Sequence, residues 1–126
     1  MDNATALDNA KTITVNGREY TLKFTMNALR RAEPQLTKKS ILAALAEFSG
    51  GTTPLTDVVV LFKEAVRAGT PAVKAKTTDY FDGLWEAAVE EYGLEKVVTD
   101  TVLAVMASGI IGSKKEMAAA LTMAQK

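Results

Sequence analysis

The residues best suited to acid–base or metal chemistry are four glutamates in the second half of the chain, Glu86, Glu90, Glu91 and Glu95. Glu86 and Glu90 are one turn apart on a helix and therefore share a face. Two carboxylates hold a hard cation only when further oxygen ligands join them, and the sequence contains no calcium-loop pattern. A solvated helix face is the simpler interpretation. The functional alternative is that this face, including Glu86 and Glu90, is an acidic patch that binds a basic partner.

The residue types that are missing exclude several reaction classes. The chain has no cysteine and no histidine, so disulfides, thiolate nucleophiles, Cys/His zinc sites and Ser-His relays are ruled out. Fifteen basic residues balance fifteen acidic ones, which leaves no electrostatic footprint for nucleic-acid binding. We therefore expect a protein that is not an enzyme, with no cofactor, no metal and no nucleic-acid partner.

Length and hydropathy indicate one domain that does not enter a membrane. A chain of 126 residues is one domain by its size and can bury a core of its own. No apolar run approaches the length of a membrane span. The first residues, Met1-Asp2-Asn3-Ala4, are polar and acidic, unlike a secretory signal. We expect a cytoplasmic protein with no membrane partner.

Residues 12–24 predict a β-hairpin. Asn16-Gly17 separates two runs of alternating apolar and polar residues, the strongest local signal for a two-residue turn. A tight turn places Val15 opposite Arg18. The face predicted to be apolar then consists of Ile13, Val15, Tyr20, Leu22 and Phe24. Because an isolated hairpin is marginally stable in water, this face must pack against helices.

The edges of the hairpin are candidate interaction sites. Neither strand contains proline, and few charged residues guard them, so a strand from a second subunit or from a client chain can add to the sheet. Thr14 and Thr21 are the edge positions at which a proline substitution tests this hypothesis. It also makes a homo-oligomer one of the expected states.

Five helices are predicted after the hairpin. They run over Met26–Glu33, Lys38–Phe48, Leu55–Ala68, from Thr77 or Thr78 to Tyr92, and Leu94–Ser108. The predicted helix-capping and helix-ending positions are Thr25, Pro34, Thr37, Ser49-Gly50-Gly51, Thr53-Pro54, Gly69, Thr77 or Thr78, and Gly93. The core positions that we expect from helical spacing include Met26, Leu29, Ile41, Leu42, Leu55, Phe62, Leu94 and Val105. The predicted fold class is α+β, mainly α, with the hairpin packed on about five helices.

Three segments follow from these boundaries. We expect residues 1–10 to be a flexible tail, residues 11–109 to be the single domain, and residues 110–126 to be a C-terminal extension. In the extension, Ser113 and Glu116 form a capping box for a short helix, Lys114 to Gln125, that carries Met117 and Leu121. We interpret that thin apolar stripe as one that orders against a partner, with Met117 and Leu121 on an adaptable binding surface.

Trp85 is the one tryptophan of the chain. On a helix with Phe81 and Leu84, core packing is the simpler interpretation of its position. An exposed Trp85 would instead be an anchor for a protein partner. The partner-binding candidates are therefore Thr14, Thr21, Trp85, Glu86, Glu90, Met117 and Leu121.

Three stretches, Ile13–Glu33, Val58–Gly69 and Thr78–Gly93 with the following helix to Met106, resemble a known family in their order and pattern. That family is the tail assembly chaperones of long-tailed bacteriophages. The resemblance implies a non-enzymatic protein of the infected host's cytoplasm that binds the tape-measure protein and keeps it soluble. It also implies that the protein helps recruit tail-tube subunits and is absent from the mature virion.

Two alternatives remain open at this stage. The first is a structural phage protein, either a head–tail connector or a tail-completion subunit, that stays in the particle. The second is an intracellular helical adaptor protein unrelated to phage. A tape-measure gene directly downstream would favour the chaperone over the adaptor.

Overall fold

The computed structural model describes residues 11–108, except for the side chain of Ser49. The predicted tail (residues 1–10) and the predicted C-terminal extension (110–126) lie outside this range. The predicted fold class, α+β and mainly α, is confirmed. The elements are β1 (Lys11–Val15), β2 (Arg18–Leu22), α1 (Met26–Ala32), α2 (Ile41–Gly50), α3 (Leu55–Gly69), α4 (Thr78–Tyr92) and α5 (Leu94–Ala107). Single turns of 3₁₀ helix follow α1 (Glu33–Gln35) and α3 (Pro71–Val73).

The hairpin has the predicted register. Val15 pairs with Arg18, and Ile13 pairs with Tyr20. Asn16 and Gly17 have φ values of 53° and 79°, the positive values that a type I′ turn requires at both central positions. All five residues of the predicted apolar face are at most 7% exposed. The prediction that helices cover this face is therefore confirmed.

The helix α3 is the centre of the fold, because it contacts the hairpin, α1, α4 and α5. At its C-terminal end it meets β2 backbone to backbone. The Lys23 N–H donates to the Ala65 carbonyl at 3.0 Å. A Cβ on Gly69 would lie 2.3 Å from the carbonyl oxygen of Thr21, so this approach requires glycine.

Most helix boundaries agree with the predictions to within one or two residues, and α2 is the exception. Thr25 and Thr77 accept hydrogen bonds from the backbone at the starts of α1 and α4, and Gly51 ends α2 with φ of 73°. The predicted cap Thr37 is wrong: Ser40 caps α2, which begins at Ile41. The reason is tertiary, since both the N–H and the hydroxyl of Thr37 donate to Asp57 Oδ1 at 2.9 Å.

Proline also acts differently from the prediction at the end of α1. Glu33, the residue before Pro34, keeps right-handed helical angles (φ −52°, ψ −49°). The chain therefore tightens into the 3₁₀ turn, whose first two positions accommodate proline because they need no N–H donor.

Four residues predicted for the core are exposed instead, namely Met26, Leu42, Leu55 and Leu94. In α1, Ala28 takes the inward position in place of Met26. The inward face of α2 is formed by Ile41 and Ala44, which leaves Leu42 72% exposed. Because α2 is apolar on almost every side, its sequence does not indicate which face turns inward. Leu55 and Leu94 each stand at the first position of their helices, at the margin of the core.

Candidate protein-binding site

A cleft of about 280 Å³ lies between the α2–α3 connection and α5. Its walls are mainly apolar and are formed by Phe48, Gly51, Thr53, Leu55, Val58, Val98 and Val102. Ligand pockets that enclose drug-sized molecules are roughly 300–1,000 Å³, so this cleft is at the lower limit of that range. Its size and lining suit a few apolar side chains of a protein partner better than a cofactor.

Local sequence signals build each wall of the cleft. The left-handed conformation of Gly51 turns the chain out of α2, so that Phe48 faces the start of α3. Leu55 is the first residue of α3 and is 51% exposed. On α5, Val98 and Val102 are one turn apart and therefore share a face. The cleft is thus an apolar stripe of α5 that α2 and α3 flank without covering.

Near the cleft, one atom in α2 and one in the α2–α3 connection are buried polar atoms without hydrogen-bond partners among the described residues. These are Thr53 Oγ1 and Glu47 Oε1. The other carboxylate oxygen of Glu47 pairs with Lys38 Nζ at 3.0 Å. Buried polar atoms normally find a partner. Thr53 lines the cleft, but its hydroxyl oxygen is fully buried, so this hydroxyl does not face a segment bound in the cleft.

Glu86 and Glu90 lie exposed on α4, on the side opposite its buried residues Phe81, Leu84, Trp85 and Ala88. Neither makes an ion pair with another residue in the range 11–108. Glu91 has a structural role, because its Oε1 accepts the backbone N–H of Asn16 at 3.1 Å. No group of three or more carboxylates within residues 11–108 is placed to hold a metal ion.

Trp85 belongs to the core. It is 8% exposed and packs edge-to-face on Phe62, with the ring centroids 5.2 Å apart. The core interpretation is confirmed, and Trp85 is not an exposed anchor, because the inward face of α4 places its ring against α3.

The hairpin edges, which were predicted to be open, are partly covered. In this register the outward-facing backbone groups belong to Thr12, Thr14, Glu19 and Thr21. The N–H of Thr21 donates to Thr70 Oγ1 at 2.9 Å, and the same hydroxyl donates back to the Thr21 carbonyl at 3.1 Å. The hydroxyl of Tyr92 donates to the carbonyl of Thr14. The open edge predicted at Thr21 is therefore wrong, because Thr70, directly after α3, occupies both backbone groups of Thr21.

At Thr14 the carbonyl is engaged, and strand addition through the remaining edge groups stays a prediction. Met117 and Leu121 lie outside the described residues, so their partner-binding role stays a prediction as well. The other five partner-binding candidates lie within residues 11–108, and none of them lines the cleft.

Sequence reasoning missed a partly buried tyrosine pair. The hydroxyls of Tyr20 and Tyr80 are 2.8 Å apart and hydrogen-bonded. Burial, reinforced by the Tyr80 hydroxyl, raises the pKa of Tyr20 above its ordinary value. The guanidinium of Arg18, 5.6 Å from the Tyr20 ring centroid, opposes this rise. Tyr20 therefore stays neutral at physiological pH, and its bond to Tyr80 is a structural contact that links β2 to α4.

Three buried carboxylates were missed too: Asp57, Glu64 and Asp100. Asp100 accepts from Lys96 at 2.9 Å, and the four-residue spacing of that pair was a readable signal. Asp57 in the first turn of α3 carried the signal of an acidic residue at a helix N-terminus. For Glu64, which pairs with Arg31 at 3.3 Å, no sequence pattern identified the partner.

Comparison with known proteins gives no match: no family model, no curated protein and no solved structure is significantly similar to the chain. None of the helices between residues 11 and 108 combines the length and the apolar character needed to cross a membrane.

Proposed function

We propose that this chain is a non-enzymatic tail assembly chaperone of a long-tailed phage that binds the tape-measure protein in the host cytoplasm. In this role it keeps that client in solution, helps recruit tail-tube subunits and leaves before the virion is complete. The observation that carries the proposal is the uncovered apolar cleft between α2, α3 and α5. The order of parts, a hairpin followed by helices, supports it through the resemblance described above.

The cleft suits a helix that docks by one apolar face. Val98 and Val102 present two contact points one turn apart, which matches large apolar side chains at positions i and i+4 of a partner helix. Leu55 and Phe48 flank these contact points. A long client with a repeated apolar stripe offers many such pairs along its length.

The size of the cleft predicts weak binding at each site. Burying two large apolar side chains contributes roughly 3–6 kcal/mol, and association costs at least about 4 kcal/mol. One cleft therefore binds with a Kd of roughly tens of millimolar or weaker. Several copies bound along one client, or joined as a homo-oligomer, convert weak contacts into stable coverage. Weak single sites also allow release when the tail tube assembles.

Co-expression with an apolar helical fragment of a tape-measure protein tests the proposal. We expect the fragment to remain in the supernatant with the wild-type chain and to precipitate with Val102→Lys, which places a charge in the cleft. Leu103→Lys is the matched control, because Leu103 is the next residue of α5, is 40% exposed and does not line the cleft.

Equal precipitation with and without the wild-type chain would contradict the proposal. Mass spectrometry of purified virions separates the chaperone from the structural alternatives. We expect the chain to be absent from virions, whereas a connector or a completion subunit would be present.

A further inference from the structure

The α5 stripe that lines the cleft ends in a carboxylate. Glu95, Val98 and Val102 are spaced i, i+3 and i+7 and so lie on one face of the helix. Glu95 is exposed and makes no ion pair with any residue from 11 to 108. A partner helix lying along Val98 and Val102 therefore extends toward this charge.

The helix pair that contains Glu95 is strongly acidic in composition. The chain is neutral as a whole, but residues 78–107, which form α4 and α5, hold seven acidic residues and one basic residue. Two of the acids are neutralised within the fold, because Asp82 pairs with Lys63 and Asp100 pairs with Lys96. The others, Glu86 and Glu90 among them, leave a negative potential over this helix pair.

We propose that the cleft selects basic amphipathic helices. The occupant carries two large apolar residues at i and i+4 and a lysine or arginine one further turn along, at the end that reaches Glu95. This inference rests on the proposed function, because it takes the cleft as the docking site, and it adds the chemical class of the client segment.

Charge also argues against the other occupants of the cleft. An acidic helix would place like charges beside Glu95, which is unfavourable. A second copy docking through the same face would bring two acidic α4–α5 pairs together, because a two-fold interface apposes the same patch of both subunits. A basic helix is the one class for which apolar and electrostatic complementarity agree.

Three synthetic helical peptides with identical apolar anchors test the inference. Their flanking positions carry Lys, Gln or Glu, and backbone amide chemical shifts of the full-length chain, followed while each peptide is added to millimolar concentration, measure their binding at low and at high salt. We expect the Lys peptide to bind roughly two- to fivefold more tightly than the Gln peptide, as one exposed charge pair allows. The Glu peptide should bind most weakly, and the preference should fade at high salt.

Charge reversal at Glu95 identifies the responsible residue. We expect Glu95→Lys to reverse the order of the Lys and Glu peptides, and Glu95→Gln to reduce the preference by roughly two- to fivefold. Glu19→Lys is the matched control. It makes the same charge change at an exposed hairpin residue, and no hairpin residue lines the cleft. Circular dichroism melts of all variants verify that they are folded.

The possible failures are distinguishable. Equal affinity of the three peptides for the wild-type chain at low salt overturns the charge selectivity and leaves the cleft proposal standing. If Glu19→Lys changes the preference for the Lys peptide as much as Glu95→Lys does, the selectivity comes from the overall charge of the chain. That result overturns the role of Glu95. Failure of every peptide to bind overturns the cleft as a docking site as well. Light scattering that shows a dimer dissociating on peptide addition assigns the cleft to a second copy and also overturns the inference.

Discussion

Replacement of Gly69 by alanine tests how the hairpin is held on the helices. The added Cβ would lie 2.3 Å from the Thr21 carbonyl oxygen and 3.0 Å from the Lys23 backbone nitrogen. Both neighbours are backbone atoms, so they cannot rotate away as a side chain would. The end of α3 and β2 must therefore move apart.

The expected loss follows from the contacts at this junction. Overpacking in a tight core costs roughly 1–3 kcal/mol. Separation of α3 from β2 also weakens three hydrogen bonds, the two between Thr70 and Thr21 and the one from Lys23 to Ala65, each contributing about 0.5–1.5 kcal/mol. The better helix propensity of alanine offsets this destabilisation by up to about 1 kcal/mol. We expect a net destabilisation of about 2–4 kcal/mol.

Urea unfolding followed by circular dichroism measures this loss. With a denaturant slope of about 2 kcal/mol per molar, the midpoint should fall by roughly 1–2 M. Gly83→Ala is the matched control, because Gly83 is inside α4 and a Cβ added there would have nothing within 4 Å. That variant should gain about 0.5–1 kcal/mol. A Gly69→Ala chain as stable as Gly83→Ala would refute the close approach of β2 to α3.

Two further predictions concern buried polar groups. Asp57→Ala should lower the unfolding free energy by about 2–3 kcal/mol, because it removes the charged acceptor of the Thr37 N–H and hydroxyl. Asp57→Asn keeps an acceptor for these two donors and should lower the unfolding free energy by less than about 1 kcal/mol. Equal urea midpoints for these two variants would contradict the bonding at Thr37. The pKa of Tyr20 is higher in the folded state than in the unfolded state. The contribution of neutral Tyr20 to folding stability is therefore complete below the unfolded pKa of about 10 and is lost as the pH rises through the folded pKa. Thermal melts above about pH 10 should therefore show falling stability, and Tyr20→Phe should flatten that fall; a Tyr20→Phe chain with an unchanged alkaline slope would assign the fall to other groups.

The hairpin could be predicted in detail because two independent signals agree. Asn16-Gly17 demands a turn with positive φ, and the alternation on either side fixes the register. The start of α2 shows the opposite case. Thr37 and Ser40 are both competent caps, and a contact with Asp57, twenty residues away, decides between them. Local sequence contains no information about that contact.

The candidate site was harder to predict than the fold. Helical spacing predicts inward positions on α5, among them Leu94 and Val105, but a stripe that lines the core and a stripe that lines a cleft have the same period. Whether Val98 and Val102 are covered depends on how far α2 and α3 reach over them. The covering of the hairpin edge was missed for a similar reason, since Thr21 and Thr70 are distant in sequence.

Chemical-shift mapping on the full-length chain tests the central claim most directly. We expect a tape-measure fragment to shift the backbone amide resonances of Leu55, Val98 and Val102 most strongly. The amides of Thr12 and Glu19 at the hairpin edges should change little. Shifts concentrated at the hairpin edges, with those of the cleft residues unchanged, would contradict binding in the cleft and favour strand addition.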